Sequence, residues 1–195
     1  GPESKPMPAP ADTVAAWDQQ ADQVQASPDP LPTITGAYAW RGRADQDYKP
    51  FQQWELRIAA GSEALRDLQL RVIARSFNLD PTTKGTGHWQ AVGTIPAGES
   101  QGLSYKLNSS TYELYDVELK WSGGAATYRA HDQHALPVYR DPDAAARPDV
   151  MASPLDFRYQ SQRQTAQIVL GVANRGDAAA EEVSFLIQLK DQQGK

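Results

Sequence analysis

Leu114-Tyr115-Asp116-Val117-Glu118-Leu119-Lys120-Trp121 alternates residue by residue: Tyr115, Val117, Leu119 and Trp121 fall on one side, and Leu114, Asp116, Glu118 and Lys120 on the other. A repeat of two with charges on one side is that of a half-buried strand in an antiparallel sheet. Trp54-Glu55-Leu56-Arg57-Ile58-Ala59-Ala60 reads the same way, with Glu55 and Arg57 opposite the apolar set. Further strands are predicted at Thr33–Arg41, Asp67–Phe77, His88–Ile95, Leu103–Leu107 and Ala125–Ala130. Turn chemistry separates them at Asp80-Pro81, Gly85-Thr86-Gly87, Pro96-Ala97-Gly98 and Ser122-Gly123-Gly124. About seven short strands in ~110 residues, with no helix among them, predict an all-β, two-sheet antiparallel sandwich over residues 33–140.

Outward from this block the pattern changes on both sides. Gly1-Pro2 reads as the remnant of a cleaved tag and is set aside. Pro6, Pro8 and Pro10 make the leader extended. Such a leader suits a chain tethered to a membrane by a preceding N-terminal segment. From Asp12 to Gln25, Val14, Trp17, Ala21 and Val24 recur at helical spacing, with Asp18, Gln19, Gln20, Asp22 and Gln23 on the remaining positions. This is a short amphipathic helix, marginal alone, so Trp17 is expected to dock on the sandwich. Pro28, Pro30 and Pro32 end it, so residues 1–32 form a leader and helix. Residues 141–153 carry two prolines and no period and read as a linker. Strands return at Leu155–Tyr159, Gln167–Ala173 and Val183–Lys190, making 154–195 a truncated second module. Three strands are too few to close a sandwich, so these are expected to pack on another surface.

The chain has 195 residues and a net charge of −5. That balance argues against a nucleic-acid partner, which favours a basic face. The absence of cysteine removes disulfide scaffolds, thiolate metal sites and cysteine nucleophiles.

The two strand blocks repeat one another. LRIAAGSEALRDLQLRVIAR and LGVANRGDAAAEEVSFLIQLK each hold a strand, a polar turn and a second strand, with Leu170 matching Leu56 and Val183 matching Leu68. The second copy carries Asn174, Gly176 and Asp177 after its first strand and Asp191 and Gly194 after its second, and the first carries Ile95, Pro96, Gly98 and Glu99 at the later turn. This pattern resembles the Ig-like sandwich modules of bacterial envelopes, of the FxLYD-like and CARDB-like kind. The first copy departs from it where Ala60-Gly61-Ser62 replaces Asn-x-Gly-Asp. The resemblance implies an Ig-like fold and an extracytoplasmic site, the bacterial periplasm or envelope; it implies no catalytic residue.

His131 and His134, with Asp132 or Asp141, are the metal-ligand candidates, but i, i+3 on a strand puts the two rings on opposite faces, and exposed polar residues at a strand end are the plainer reading. His88 stands apart from them. Ser122-Gly123-Gly124 lacks a nucleophile elbow, and Gly36, Gly42 and Gly61 form no phosphate loop. Asp116 and Glu118, followed by Lys120, read as a solvated charge ladder rather than an acid/base pair. Arg175-Gly176-Asp177 spells an adhesion tripeptide but reads as a turn in which glycine supplies positive φ. Asn108-Ser109-Ser110 fits the N-glycan acceptor pattern. Trp54 and Trp121 are expected in the core, and Tyr115 as a corner tyrosine bonding backbone. Trp17, Trp40 and Trp89 remain as contacts for a ligand or partner. The expectation is a non-enzymatic interaction module or scaffold with a protein partner and no cofactor. The alternatives are a carbohydrate-binding module using Trp40 or Trp89, and a metal-dependent enzyme using His131 and His134.

Overall fold

The structure is a computed structural model that describes residues 17–43, 50–75, 85, 87–108, 114–131 and 135–195. The leader, the start of the helix including Val14, the Asp80-Pro81 turn, Thr86, Ser109, Ser110, Asp132 and His134 lie outside the described residues. Among the described residues, ten strands follow a short helical segment at residues 17–23: β1 (Thr33–Arg43), β2 (Pro50–Ala59), β3 (Leu65–Arg75), β4 (Gln90–Ile95), β5 (Ser100–Leu107), β6 (Leu114–Trp121), β7 (Gly124–Ala130), β8 (Val138–Arg140), β9 (Val150–Gln160) and β10 (Thr165–Asn174). Contacts divide them into two units, the first ending at Ala145 and the second spanning Ala146–Lys195.

The first unit is an all-β antiparallel sandwich. One sheet has the order β1-β2-β5, the other β4-β3-β6-β7-β8. Alternation sends one side of each strand inward. The registers stack those inward residues into rows: Ala39-Trp54-Tyr105 and Ala37-Leu56-Leu103 on one sheet, Leu70-Leu119-Ala126 and Val72-Val117-Tyr128 on the other. All belong to a single core. Trp54, Leu56, Ile58, Val117 and Leu119 are 0–1% exposed, and Trp121 is partly buried against them. Trp54 meets the Tyr115 ring edge-on at 4.8 Å, and Gln52 Nε2 donates to the Tyr115 hydroxyl at 2.8 Å. Tyr128 makes a bond of the kind expected of a corner tyrosine: its hydroxyl donates to the Pro32 carbonyl, 96 positions earlier. Gly123, at φ 92°, makes the tight turn between β6 and β7.

The second unit is a partial module. β9 and β10 pair antiparallel, and β9 starts at Val150, inside the stretch that reads as a linker. The strand expected at Val183–Lys190 does not form: those residues bear no ladder. An alternating sequence becomes a strand only where a neighbour accepts its backbone bonds.

Candidate functional site

The outer side of the three-stranded sheet carries Trp17, Tyr38, Trp40 and Phe51, four of the aromatic side chains outside the core. Registers order it into rows. Gly36, Arg57 and Gly102 form one; Tyr38, Glu55 and Ser104 the next; Trp40, Gln53 and Lys106 the third. The Tyr38 and Trp40 rings lie 5.9 Å apart, tilted by 37°, and both are half-buried. Beyond them Lys106 Nζ stands 4.5 Å over the Phe51 ring. Glu55 is the buried charge of this face, 4% exposed. Ser104 Oγ donates to its Oε2 at 2.5 Å and Gln53 Nε2 to its Oε1 at 3.4 Å. Loss of hydration pushes the Glu55 carboxyl above its ordinary value, and the two hydrogen bonds pull the other way.

Trp17 covers the first row. It is 8% exposed, with the Arg57 guanidinium 4.7 Å from its ring, so the expected docking of the helix is made on this face. Gln20, one turn on, is also buried, its carboxamide bonded twice to Ala37. The polar pattern of the helix had placed Gln20 outward. A residue three after an anchoring aromatic shares its side of the helix, and that spacing was the signal for it.

Trp89 is held differently. Arg71 and Lys120 approach its ring to 4.3 and 4.0 Å, and Arg71 Nε bonds Glu118 Oε2 at 2.5 Å. Two cations thus occupy the indole, and Trp89 serves the charge pattern of the β3-β6 face. Asp116 takes Arg129 Nε at 3.0 Å and has Arg75 at 3.8 Å. The ladder of Asp116 and Glu118 exists, but its Asp116 end is 3% exposed rather than solvated. The reason is pairing across three strands, which sequence spacing along one strand does not reveal. Ser122 Oγ donates to Asp67 Oδ2 at 3.0 Å.

His88 stacks on Tyr105 at 4.8 Å, and the Tyr105 hydroxyl donates to the His88 carbonyl at 2.9 Å. His131 is half-buried, and His134 lies outside the described residues, so their convergence is not defined. Among the described residues no cluster of three His, Asp or Glu has metal-binding geometry. An open cavity of about 410 Å³ lies against Ala125, Ala126, Thr127, Tyr139, Arg140 and Pro142, where β8 leaves β7. None of the aromatic or histidine candidates lines it.

In the second unit the Asn174–Asp177 segment is bound into its own turn. Asn174, 1% exposed, accepts at Oδ1 from the amides of Asp149 and Gly176, both at 3.0 Å, and donates from Nδ2 to the Ala178 carbonyl at 2.7 Å. The Arg175 amide donates to the Asp149 carbonyl and the Asp177 amide to the Arg147 carbonyl, each at 2.8 Å. A Cβ on Gly176 would stand 2.1 Å from the Arg147 oxygen. Glycine is required here by close backbone approach; Gly176 is not among the positive-φ glycines. Past the turn, and on β9, large apolar side chains face solvent: Leu155 (68%), Phe157 (56%), Tyr159 (61%), Leu186 (86%), Ile187 (50%) and Leu189 (64%). Sequence patterning located these residues but gave no sign of what covers them.

No protein-family model, no curated protein and no solved structure matches the chain.

Proposed function

We propose that this chain is a non-enzymatic β-sandwich interaction module of a bacterial envelope assembly, positioned outside the cytoplasm and tethered through its Pro-rich N-terminal region. The observation that carries the reading is the uncovered apolar surface of residues 150–190, led by Phe157, Tyr159, Leu186 and Ile187. Soluble monomers seldom leave large apolar side chains in such concentration. Covering each one contributes ~1.5–3 kcal/mol, enough over several to hold a protein partner. The polar groups that catalysis would use are engaged in structural bonds instead: Asp116 and Glu118 with arginines, Ser122 with Asp67. The envelope location rests on the resemblance carried by Asn174, Gly176 and Asp177.

The test is limited trypsin digestion with mass detection, run with and without the solubilised envelope fraction of the source organism. Cleavage at Arg158, Arg163 and Arg175 is expected to slow in its presence while the first unit is unaffected. Equal rapid cleavage under both conditions, in a protein that stays monomeric by light scattering, overturns the reading.

A second reading has one observation in its favour: Tyr38 and Trp40 lie side by side beside Gln53 and Lys106 on an outer sheet face. Paired rings flanked by polar groups suit a sugar. Quenching of tryptophan emission by soluble oligosaccharides, lost in Trp40→Ala, would support a glycan-binding module; no quenching by any of them would remove it.

A further inference from the structure

The β1 strand is the edge of its sheet, and its free side is occupied by the chain itself. β1 is long, 11 residues, with no proline, one register shift between Ile34 and Gly36, and Arg41 and Arg43 only at its end. An edge of that kind readily pairs with another strand unless something blocks it. The block is Gln20. Its Nε2 donates to the Ala37 carbonyl at 2.8 Å and its Oε1 accepts from the Ala37 amide at 2.9 Å. This is the two-way exchange that a facing residue makes in the hydrogen-bonded pair of an antiparallel ladder. The side chain therefore stands where a neighbouring strand's backbone would stand.

Trp17 holds Gln20 there. Its ring fills a trough between two glycines of one register row, Gly36 and Gly102, that flank Arg57. A Cβ on Gly36 would lie 2.4 Å from Trp17 Cδ1, and one on Gly102 3.6 Å from Cη2. The fit is good for the ring and poor for its polar atom: Trp17 Nε1 is buried with no hydrogen-bond partner among the described residues. An unmet buried donor weakens the contact that carries it. Trp17 and Gln20, on one short helical segment, hold it to the sheet.

We propose that residues 17–23 are a displaceable strap, and that lifting it opens β1 to antiparallel pairing with β1 of a second copy centred on Ala37. The strand suits itself. Centring on Ala37 sets Gly36 of each copy opposite Tyr38 of the other, so a tyrosine ring takes the place over the glycine that Trp17 vacates. The residues that face each other on the regular side of the shift between Ile34 and Gly36, Gly36, Ala37 and Tyr38, carry no charge, so no like charges meet. Such a contact is isologous and closes at two copies. The inference concerns an edge of the first unit and does not rest on the apolar surface of residues 150–190.

The test uses the full chain. Trp17→Ala/Gln20→Ala is expected to double the mass seen by light scattering at the top of a concentration series, relative to wild type under the same conditions. The chain has no cysteine, so introduced thiols report alone. Gly36→Cys/Tyr38→Cys evicts Trp17 and places facing thiols at a non-hydrogen-bonded pair, where side chains stand closest. Mild oxidation is expected to give a dimer crosslinked 36 to 38. Folded strap variants that keep the wild-type mass overturn the proposal. Association without the 36–38 crosslink overturns it too and points to residues 150–190, the surface of the proposed function. If the double variant does not fold, Gln20→Ala alone decides by hydrogen exchange: the Ala37 amide must exchange faster than in wild type at low concentration and regain protection at high concentration, and unchanged protection overturns the strap.

Discussion

Leu119→Ala separates burial from hydrophobicity as the source of stability. Leu119 is 1% exposed and sits between Leu70 and Ala126 in a row across β3, β6 and β7, facing the other sheet. Alanine there loses the transfer energy of the removed atoms and leaves a cavity that rigid neighbouring strands only partly fill, which together cost ~2–5 kcal/mol. At ~2–8 °C per kcal/mol, the melting temperature of the unit falls by at least about 4 °C. Denaturant unfolding followed by tryptophan emission is the assay. The five tryptophans, Trp17, Trp40, Trp54, Trp89 and Trp121, all precede Ala145, so the signal reports the first unit. The midpoint should fall with the slope unchanged, since the surface exposed on unfolding is nearly the same. The paired control is Leu186→Ala, the same chemistry at 86% exposure in the second unit; followed by far-UV circular dichroism, because no tryptophan lies there, it should shift nothing beyond ~0.5 kcal/mol. A wild-type midpoint for Leu119→Ala refutes the assignment of strand faces. An equal loss in both variants, with unit-specific probes, refutes the division into a closed core and an uncovered module.

Three further outcomes follow from single contacts. Gly176→Ala forces a Cβ onto the Arg147 carbonyl, so the Arg147–Asp177 contacts should open, read as faster trypsin cleavage at Arg175 with the first unit's midpoint unchanged. Burial raises the Glu55 carboxyl above its ordinary 4.5, so the folded chain holds that proton more tightly than the unfolded one; the contribution is whole below pH 4.5 and is lost as pH rises through the folded value. Glu55→Gln should therefore melt higher than wild type at pH 7, and the two curves should converge below pH 4.5. The Tyr128 hydroxyl is pushed up from 10.0 to about 12 by burial, so its stabilisation is complete below pH 10 and disappears between pH 10 and 12. Alkaline unfolding in that window, reduced in Tyr128→Phe, and a late-titrating phenol by absorbance are the checks.

The strands of the sandwich were legible because their two faces differ in chemistry. Tyr115, Val117 and Leu119 against Asp116, Glu118 and Lys120 leave one register of inside and outside. What alternation does not carry is the identity of the neighbour. Asp116 was read as solvated because its partners, Arg75 and Arg129, come from two other strands. The surroundings of Trp89 are not legible in sequence, because Arg71, 18 positions earlier, and Lys120 reach its ring only once β3 and β6 pair. Gln20 was read as exposed because a glutamine that bonds an edge strand looks, in sequence, like any polar helix residue.

The failure of residues 183–190 to form a strand follows from the same limit, and the internal repeat explains it. The two hairpins correspond: β1-β2 and β9-β10 each pair with a register shift, and each is followed by a glycine packed on the backbone just ahead of the hairpin, Gly61 on Pro30 and Leu31, Gly176 on Arg147 and Pro148. With Val183 matching Leu68, residues 183–190 correspond to β3. In the sandwich β3 does not bond β2; it crosses to the other sheet and bonds β4 and β6. Residues 146–195 hold the counterparts of β1, β2 and β3 and none of β4 or β6. Val183, Phe185, Ile187 and Leu189 thus keep the alternation of a sandwich strand while the ladder that would fix it has no second rail in this unit. Phe185, Ile187 and Leu189 match Leu70, Val72 and Ala74 of the sandwich core, so whatever completes the ladder of 183–190, further chain or another surface, must supply both a strand edge and an apolar face. A partner offering only one of the two would leave either the backbone or the side chains of 183–190 unmet.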